Sequence, residues 1–281
     1  LQRIAIVFLL GALIFLNTDW KKQIIIAATL LIGYWLIMAL IPVPIDDVIK
    51  QALASGTVMS ADGEMAIGEL KQLSEGFIAA NFEPGTNLAA WLDRAAVPGY
   101  LWQKTWDPEG LLSTMPALVT AIIGMLVGRI ILTIKEPYKK LSYLFFTGFS
   151  LLLVGELWSY IFPVNKNLWT SSFTLFTAGL ATMGLAACIL IIDIWGYKGW
   201  TRLGRVYGAN AITAYVLAGM LTLVFYSDRL WGISLSRTFM EAMTGIGVPD
   251  KFASFMYAII YMLIIYIPTY ILYRKKIFIK L

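Results

Sequence analysis

Two short polar words interrupt an otherwise apolar chain, and both carry residue types that could do chemistry. The first, Trp106-Asp107-Pro108-Glu109-Gly110-Leu111-Leu112-Ser113-Thr114, puts two carboxylates at a turn directly ahead of an apolar run. Proline near a helix start and acids at the positive end of the helix dipole are ordinary helix-initiation chemistry. The same carboxylates at a membrane surface could line a site and orient an amine, and the two readings are compatible. The second word, Phe162-Pro163-Val164-Asn165-Lys166-Asn167-Leu168-Trp169-Thr170, holds a lysine between two amides beside a tryptophan. A plain turn needs only Gly, Asn or Ser. Amide and ammonium donors next to an indole face suit a sugar or a carbonyl oxygen; the alternative is a solvated turn.

Other polar residues lie within or at the ends of apolar runs. Glu156 sits inside one, where an ionised carboxylate costs a few kcal/mol unless it is protonated, paired or facing a cavity. Asn210 opens another, in Tyr207-Gly208-Ala209-Asn210-Ala211. Asp193, Arg202 and Arg205 stand at run ends, where snorkelling is the ordinary explanation and phosphate binding the functional one. The chain has no histidine and one cysteine. That removes His-ligated metals, Ser/His and Cys/His pairs, and the usual base near neutral pH. Cys188, inside an apolar run, reads as a small buried hydrophobe.

The elements that must position these residues are membrane helices. Of 281 residues 59% are apolar and 14% charged, against roughly 25% charged in an average soluble protein. Mean hydropathy is +0.75. The pattern predicts an all-α polytopic bundle of about seven transmembrane helices, over 4–16, 24–40, 111–134, 141–162, 173–192, 206–226 and 255–273. The first run is short for a span. Pro116 and Pro268 are kinks that a membrane bundle tolerates. One face receives Lys21, Lys22, Arg129, Lys135, Lys139, Lys140, Lys198, Arg202, Arg205, Arg274, Lys275, Lys276 and Lys280. By the positive-inside rule that face is cytoplasmic. The net charge of +5 is modest and does not suggest nucleic-acid binding.

The opposite face receives a long segment, 41–110. Helical spacing over 45–53, 63–77 and 88–96, with Asn87 as an N-cap for the last, predicts a small helical outer cap rather than a loop. Trp91, Tyr100, Trp102 and Trp106 crowd its end, as an interfacial belt requires. The expected organisation is one transmembrane domain over 1–281 with an extracytoplasmic insertion over 43–110.

These words, together with Leu1-Gln2-Arg3-Ile4-Ala5, resemble the heparan-α-glucosaminide N-acetyltransferase family, in particular its bacterial members. Tyr207-Gly208-Ala209-Asn210-Ala211-Ile212 is similar to the family's Gly-Met-Asn helix start, with Ala209 in place of Met. Asn87-Leu88-Ala89-Ala90-Trp91-Leu92-Asp93-Arg94 is similar to a segment of its outer loop. The matches run in order over most of the chain. The resemblance implies about ten or eleven helices and a catalytic His ahead of the Leu-Gln-Arg-Ile word. This chain is therefore expected to be an N-terminally incomplete transferase, without that His region.

The resemblance further implies transfer of an acetyl group from cytoplasmic acetyl-CoA, as co-substrate and without a metal, to the amine of a glucosamine-type sugar on the far side of a bacterial inner membrane. Amine acylation needs a deprotonated nucleophile and a stabilised oxyanion. The residues assigned to the chemistry are Asp107, Glu109, Asn165, Lys166 and Asn167, with Trp106, Trp169 and Asn210 on the acceptor. Arg129, Lys198, Arg202 and Arg205 are assigned to the donor's phosphates. Glu156 is not part of the family pattern. Expected partners are the bilayer, the amino sugar and, as an option, a second copy of the chain. The competing class is a transporter or flippase that moves a sugar or lipid-linked sugar without making a bond; no recurrence of broken segments in matching halves supports it.

Overall fold

Each apolar run forms a helix whose ends are set by local capping chemistry. The computed structural model describes residues 2–228 and 232–279; Leu1 of the Leu-Gln-Arg-Ile word and Lys280 among the counted charges lie outside the described residues. Helix α1 (Gln2–Asn17) leads into α2 (Trp20–Leu40), whose N-cap Asp19 accepts from the Lys22 N–H at 2.9 Å. The cap segment holds α3 (Asp47–Ser55) and α4 (Leu88–Ala96). Three long helices follow: α5 (Thr114–Thr133), α6 (Pro137–Ser159) and α7 (Ser171–Cys188), the last running on as a π-helical turn over Ile189–Ile194. Proline at the first position of α6 and the Glu136 carboxylate on the Tyr138 and Lys139 N–H groups start that helix sharply.

The chain is a polytopic membrane bundle that divides into two compact units, Leu1–Ile194 and Trp195–Leu281. Among the described residues five helices are long and apolar enough to cross a membrane: α2, α5, α6, α7 with its extension, and α11 (Asp250–Arg274). Against the seven expected, α1 has only 16 residues, below the ~20 that span a bilayer. The run expected over 206–226 is broken: α8 (Arg202–Ala209) and α9 (Ala211–Phe225) meet at Asn210 with a bend of 76°. Counted as one span, that pair makes a sixth. In the same unit α10 (Leu235–Gly245) packs on α11, and the Tyr207 hydroxyl donates to the Met262 carbonyl.

In the first unit, Leu31, Val119, Ile122, Leu144 and Ala186 form the membrane core. A second cluster, with Tyr34, Met38, Ile49, Ile78 and Phe162, seats the cap on the bundle, and the Tyr34 hydroxyl donates to the Leu168 carbonyl at 2.6 Å. Helices α6 and α7 approach until their backbones touch. A Cβ on Gly155 would stand 2.5 Å from the Phe176 nitrogen, and one on Gly179 2.5 Å from the Leu152 nitrogen. Without a hydrophobic drive between helices in lipid, such close backbone approach is what holds the pair.

The cap is helical where capping residues made it so. Asp46 caps α3 at the Ile49 N–H (3.0 Å), and Asn87 caps α4 at the Ala90 N–H (3.0 Å). The helix expected over 63–77 is absent and strands replace it: β3 (Gly63–Ala66), β4 (Gln72–Ser74) and the start of β5 (Phe77–Ile78). β2 (Thr57–Ser60) and β3 form an antiparallel hairpin across Ala61-Asp62, and β5 pairs with both β4 and β1 (Val43–Pro44). Gly63, at φ +121°, takes a conformation that a helix forbids, so the Asp62-Gly63 turn overrides the apolar spacing. Arg94 ties the cap together: it pairs with Asp46 at 2.6 Å and donates to the Gly85 and Thr105 carbonyls at 2.7 and 2.6 Å.

The α6–α7 seam leaves no room for a side chain. Gly179→Val should therefore cost roughly 1–3 kcal/mol or more. Gly184→Ala, on the same helix with nothing within 4 Å, should be neutral or slightly stabilising. Thermal unfolding in detergent separates the two; equal midpoints would refute the seam as a source of stability.

Candidate functional site

At the cap end of the first unit three segments converge: the start of α1, the turn ahead of α5, and the turn joining α6 to α7. Each turn is shaped by the oxygen of its own first polar residue. Asp107 Oδ1 accepts from the Glu109 N–H at 2.8 Å, and its Oδ2 from the Trp102 N–H at 3.4 Å. Asn165 Oδ1 accepts from the Asn167 and Leu168 N–H groups at 2.8 and 3.2 Å. These are Asx turns, the local chemistry that Asp and Asn supply. In both, the residue two positions on is turned toward a common space.

That space is a cavity of about 590 Å³ lined by Arg3, Glu109, Thr120, Lys166, Asn167 and Trp169 over an apolar wall that includes Val7 and Ala117. Glu109, Lys166 and Asn167 are exposed at its mouth. Trp169 is held in an unusual backbone state, φ +51°, with its indole N–H on Thr120 Oγ1 at 3.1 Å and its ring edge-on to Phe173. The Arg3 guanidinium lies 5.4 Å from the centre of that ring. Arg3 is 7% exposed; its Nη2 donates to the Gly110 carbonyl at 3.4 Å and to the Ser113 hydroxyl, while Nε and Nη1 are buried without a hydrogen-bond partner among the described residues.

Asp93, on α4, closes the turn from the cap side. It is 1% exposed and accepts from the Leu111 N–H at 2.8 Å. A Cβ on Gly110 would fall 1.9 Å from its Oδ2, so any other residue there would push the Asp93 carboxyl out of its place on the Leu111 N–H. Burial pushes the Asp93 carboxyl up to about 6; Asp107 adds to the rise, while the Leu111 N–H, Arg3 and Arg94 oppose it.

The structure thus brings together Glu109, Lys166, Asn167 and Trp169, four of the residues singled out in the sequence. Asp107 and Asn165 stand one step behind them, their side-chain oxygens used on backbone. Trp106 is 5% exposed and packs with Ala52, Val58 and Ala90 inside the cap, so its ring is not presented to the cavity. Arg129 lies near the other end of α5, about 22 Å away at 1.5 Å per residue from Thr114. Glu156 is exposed on α6 and does not line the cavity.

The remaining residues belong to the second unit. Asn210 is fully buried at the α8–α9 bend, its Oδ1 accepting from the Ile279 N–H at 3.1 Å. Arg202 donates to the Tyr270 hydroxyl at 2.6 Å and lies 5.2 Å over that ring. Lys198 precedes the short 3₁₀ turn Gly199–Thr201, and Arg205 is exposed on α8.

Sequence reasoning missed Arg3, Thr120 and Asp93 as site residues. Arg3 carried a usable signal: it is the one charge in α1, and an ionisable residue in an apolar helix is a site candidate by default. Asp93 and Thr120 carried none, since only the fold shows what they touch.

Fold and cavity together define a multi-pass membrane protein with a charged, aromatic-walled cavity where the helices of its first unit meet the cap. The chain is similar to heparan-alpha-glucosaminide N-acetyltransferase of Homo sapiens, 30% identical over 191 residues that cover 65% of this chain and 26% of that protein. It is likewise similar to the Mus musculus protein of the same name, 26% identical over 190 residues with the same coverage of each. These similarities bear out the resemblance read from the polar words. The chain spans about a quarter of the length of the curated relatives it matches. No family model matches it.

The raised Asp93 carboxyl makes stability depend on pH. Its folded value, about 6, lies above the ordinary ~3.9, so the fold favours the protonated form. The stability it contributes is full below about pH 4 and is lost as pH rises through about 6. Asp93→Asn, which keeps an acceptor for Leu111, should flatten that part of the curve relative to wild type. Thermal unfolding across this range is the measurement, and parallel wild-type and variant curves would overturn the assignment.

Proposed function

We propose that this chain forms part of a membrane N-acetyltransferase that moves an acetyl group from acetyl-CoA to the amine of a glucosamine-type sugar. The observation that carries this reading is the meeting of Glu109, Lys166, Asn167 and Trp169 in one cavity of a chain similar to N-acetyltransferases. Glu109 accepts a hydrogen bond from the acceptor amine and aims its lone pair. Asn167 and Lys166 donate to the acetyl oxygen as it becomes an oxyanion. The Trp169 ring walls the sugar. A C–N bond forms as the C–S bond breaks, and the proton lost by the amine ends on the CoA thiol.

The orientation proposed puts the cap outside and the opposite end of the first unit, with Lys21, Lys22, Lys135, Lys139 and Lys140, in the cytoplasm. In a bacterium that is the inner membrane. Lys198, Arg202 and Arg205 are the proposed partners of the donor's phosphates, as charge-assisted contacts. A second reading, transport without covalent chemistry, draws support from the helix broken at Asn210, a device of transporter sites.

Labelled acetyl-CoA incubated with full-length protein and glucosamine tests both. Label should appear in the sugar amide, and Asn167→Ala should lower kcat by roughly 10²–10³. Glu109→Gln should also slow turnover. Asn165→Ala, which loses two turn hydrogen bonds, should instead lower thermal stability by about 1–2 kcal/mol. Sugar crossing proteoliposomes with no label in the product would replace acetyl transfer by transport.

A further inference from the structure

We propose that the trough between α2, α5 and α6 is a binding site for one acyl chain of an anionic phospholipid, with Arg129 on the lipid's phosphate. Two cavities, of about 460 and 330 Å³, share Ile24, Ile123, Leu126 and Leu151 as walls and so form one continuous trough. It opens at Trp20, Arg129 and Tyr143 and ends against Trp158 and Leu175. Along α5, from Arg129 to Val119, it is about 15 Å long, the depth of one leaflet of a ~30 Å hydrocarbon core.

Arg129 is the one charged residue lining either cavity, and among the described residues its side chain has no acidic partner and no hydrogen bond. A guanidinium at the mouth of an apolar trough, without a partner of its own, is matched by a lipid phosphate at the same depth. The mouth is built for the headgroup level. Trp20 and Tyr143 are the amphipathic rings that settle there, and Lys21, whose ammonium lies 5.6 Å over the Trp20 ring, adds positive charge. Lys22, Lys135, Lys139 and Lys140 flank the same end in the chain.

The lining also decides against the pantetheine arm of a CoA, which carries two amides. Beyond the mouth the lining side chains carry only the Thr147 and Ser150 hydroxyls and the Trp158 indole N–H, too few for two amides that each bring a donor and an acceptor, and amides buried without partners are costly. A hydrocarbon chain asks for nothing that the trough lacks. This inference stands independently of the proposed acetyl transfer.

Native mass spectrometry of the full-length protein, titrated with phosphatidylglycerol or phosphatidylcholine of identical chains, is the test. One phosphatidylglycerol should bind roughly tenfold more tightly than phosphatidylcholine. Arg129→Gln should bring it down to the phosphatidylcholine level, whereas Ala28→Phe, which narrows the trough from α2, should weaken both lipids alike. Equal affinities in wild type, a preference that survives Arg129→Gln, or unchanged binding by Ala28→Phe would overturn the proposal. So would acetyl-CoA displacing the bound lipid mole for mole, or a dimer that carries no lipid.

Discussion

One peptide group governs the site. Between Gly110 and Leu111, the carbonyl accepts from the Arg3 guanidinium on α1, and also from Ser113 and Thr114 on the helix that follows, at 3.1 and 2.9 Å. The N–H of the same group donates to Asp93 on the cap. The turn carrying Glu109 is thereby clamped from the membrane side and the cap side at once. Asp93 presses on the bare Cα of Gly110, so a side chain there would displace one arm of the clamp. Loosening either partner would release the wall on which the cavity is built.

Such a clamp is expensive. Arg3 and Asp93 are both almost fully buried, and neither has an ion-pair partner among the described residues. Burying charge without a close counter-charge costs more than hydrogen bonds to backbone return. The raised Asp93 carboxyl is the visible trace of that cost. Natural folds keep such departures from apolar packing mainly where position matters more than stability. The two ionisable groups here are spent on holding a turn next to exposed Glu109, Lys166 and Asn167.

Much of this was legible in the chain, because membrane helices announce themselves by hydrophobicity and turns by Asp, Asn, Gly and Pro. The runs that became α2, α5, α6, α7 and α11 were readable within a few residues, as was the Asn87 cap of α4. The two polar words were visible as turn chemistry, and the structure adds a division of labour within each: Asp107 and Asn165 shape the turns, while Glu109 and Asn167 line the cavity. What failed was partly non-local. The β2–β3 hairpin turns on the local Asp62-Gly63, a signal given less weight than the apolar spacing, whereas β5 depends on pairing with the distant β1, which no local pattern reports. The break at Asn210 falls near the start of the run 206–226, which reads as one helix opened by Asn210 and not as two helices meeting there. Arg3 meets Gly110 across 107 residues, and no local pattern encodes that contact.

Sequence separation also orders assembly. The α6–α7 seam joins neighbouring helices across one short turn, so its loop closes at little entropic cost and it can form as soon as both helices are in the bilayer. The cap end is tied by contacts of a different reach: Tyr34 to Leu168 spans 134 residues and Ser171 to Leu31 spans 140. Those links require α2 to wait until α7 has been synthesised, and the Arg3 clamp requires α1 to wait for the turn ahead of α5. The cavity, which draws on α1, the turn ahead of α5 and the turn ahead of α7, therefore closes only after α7 is in place, whereas the α6–α7 seam needs no element but its own two helices.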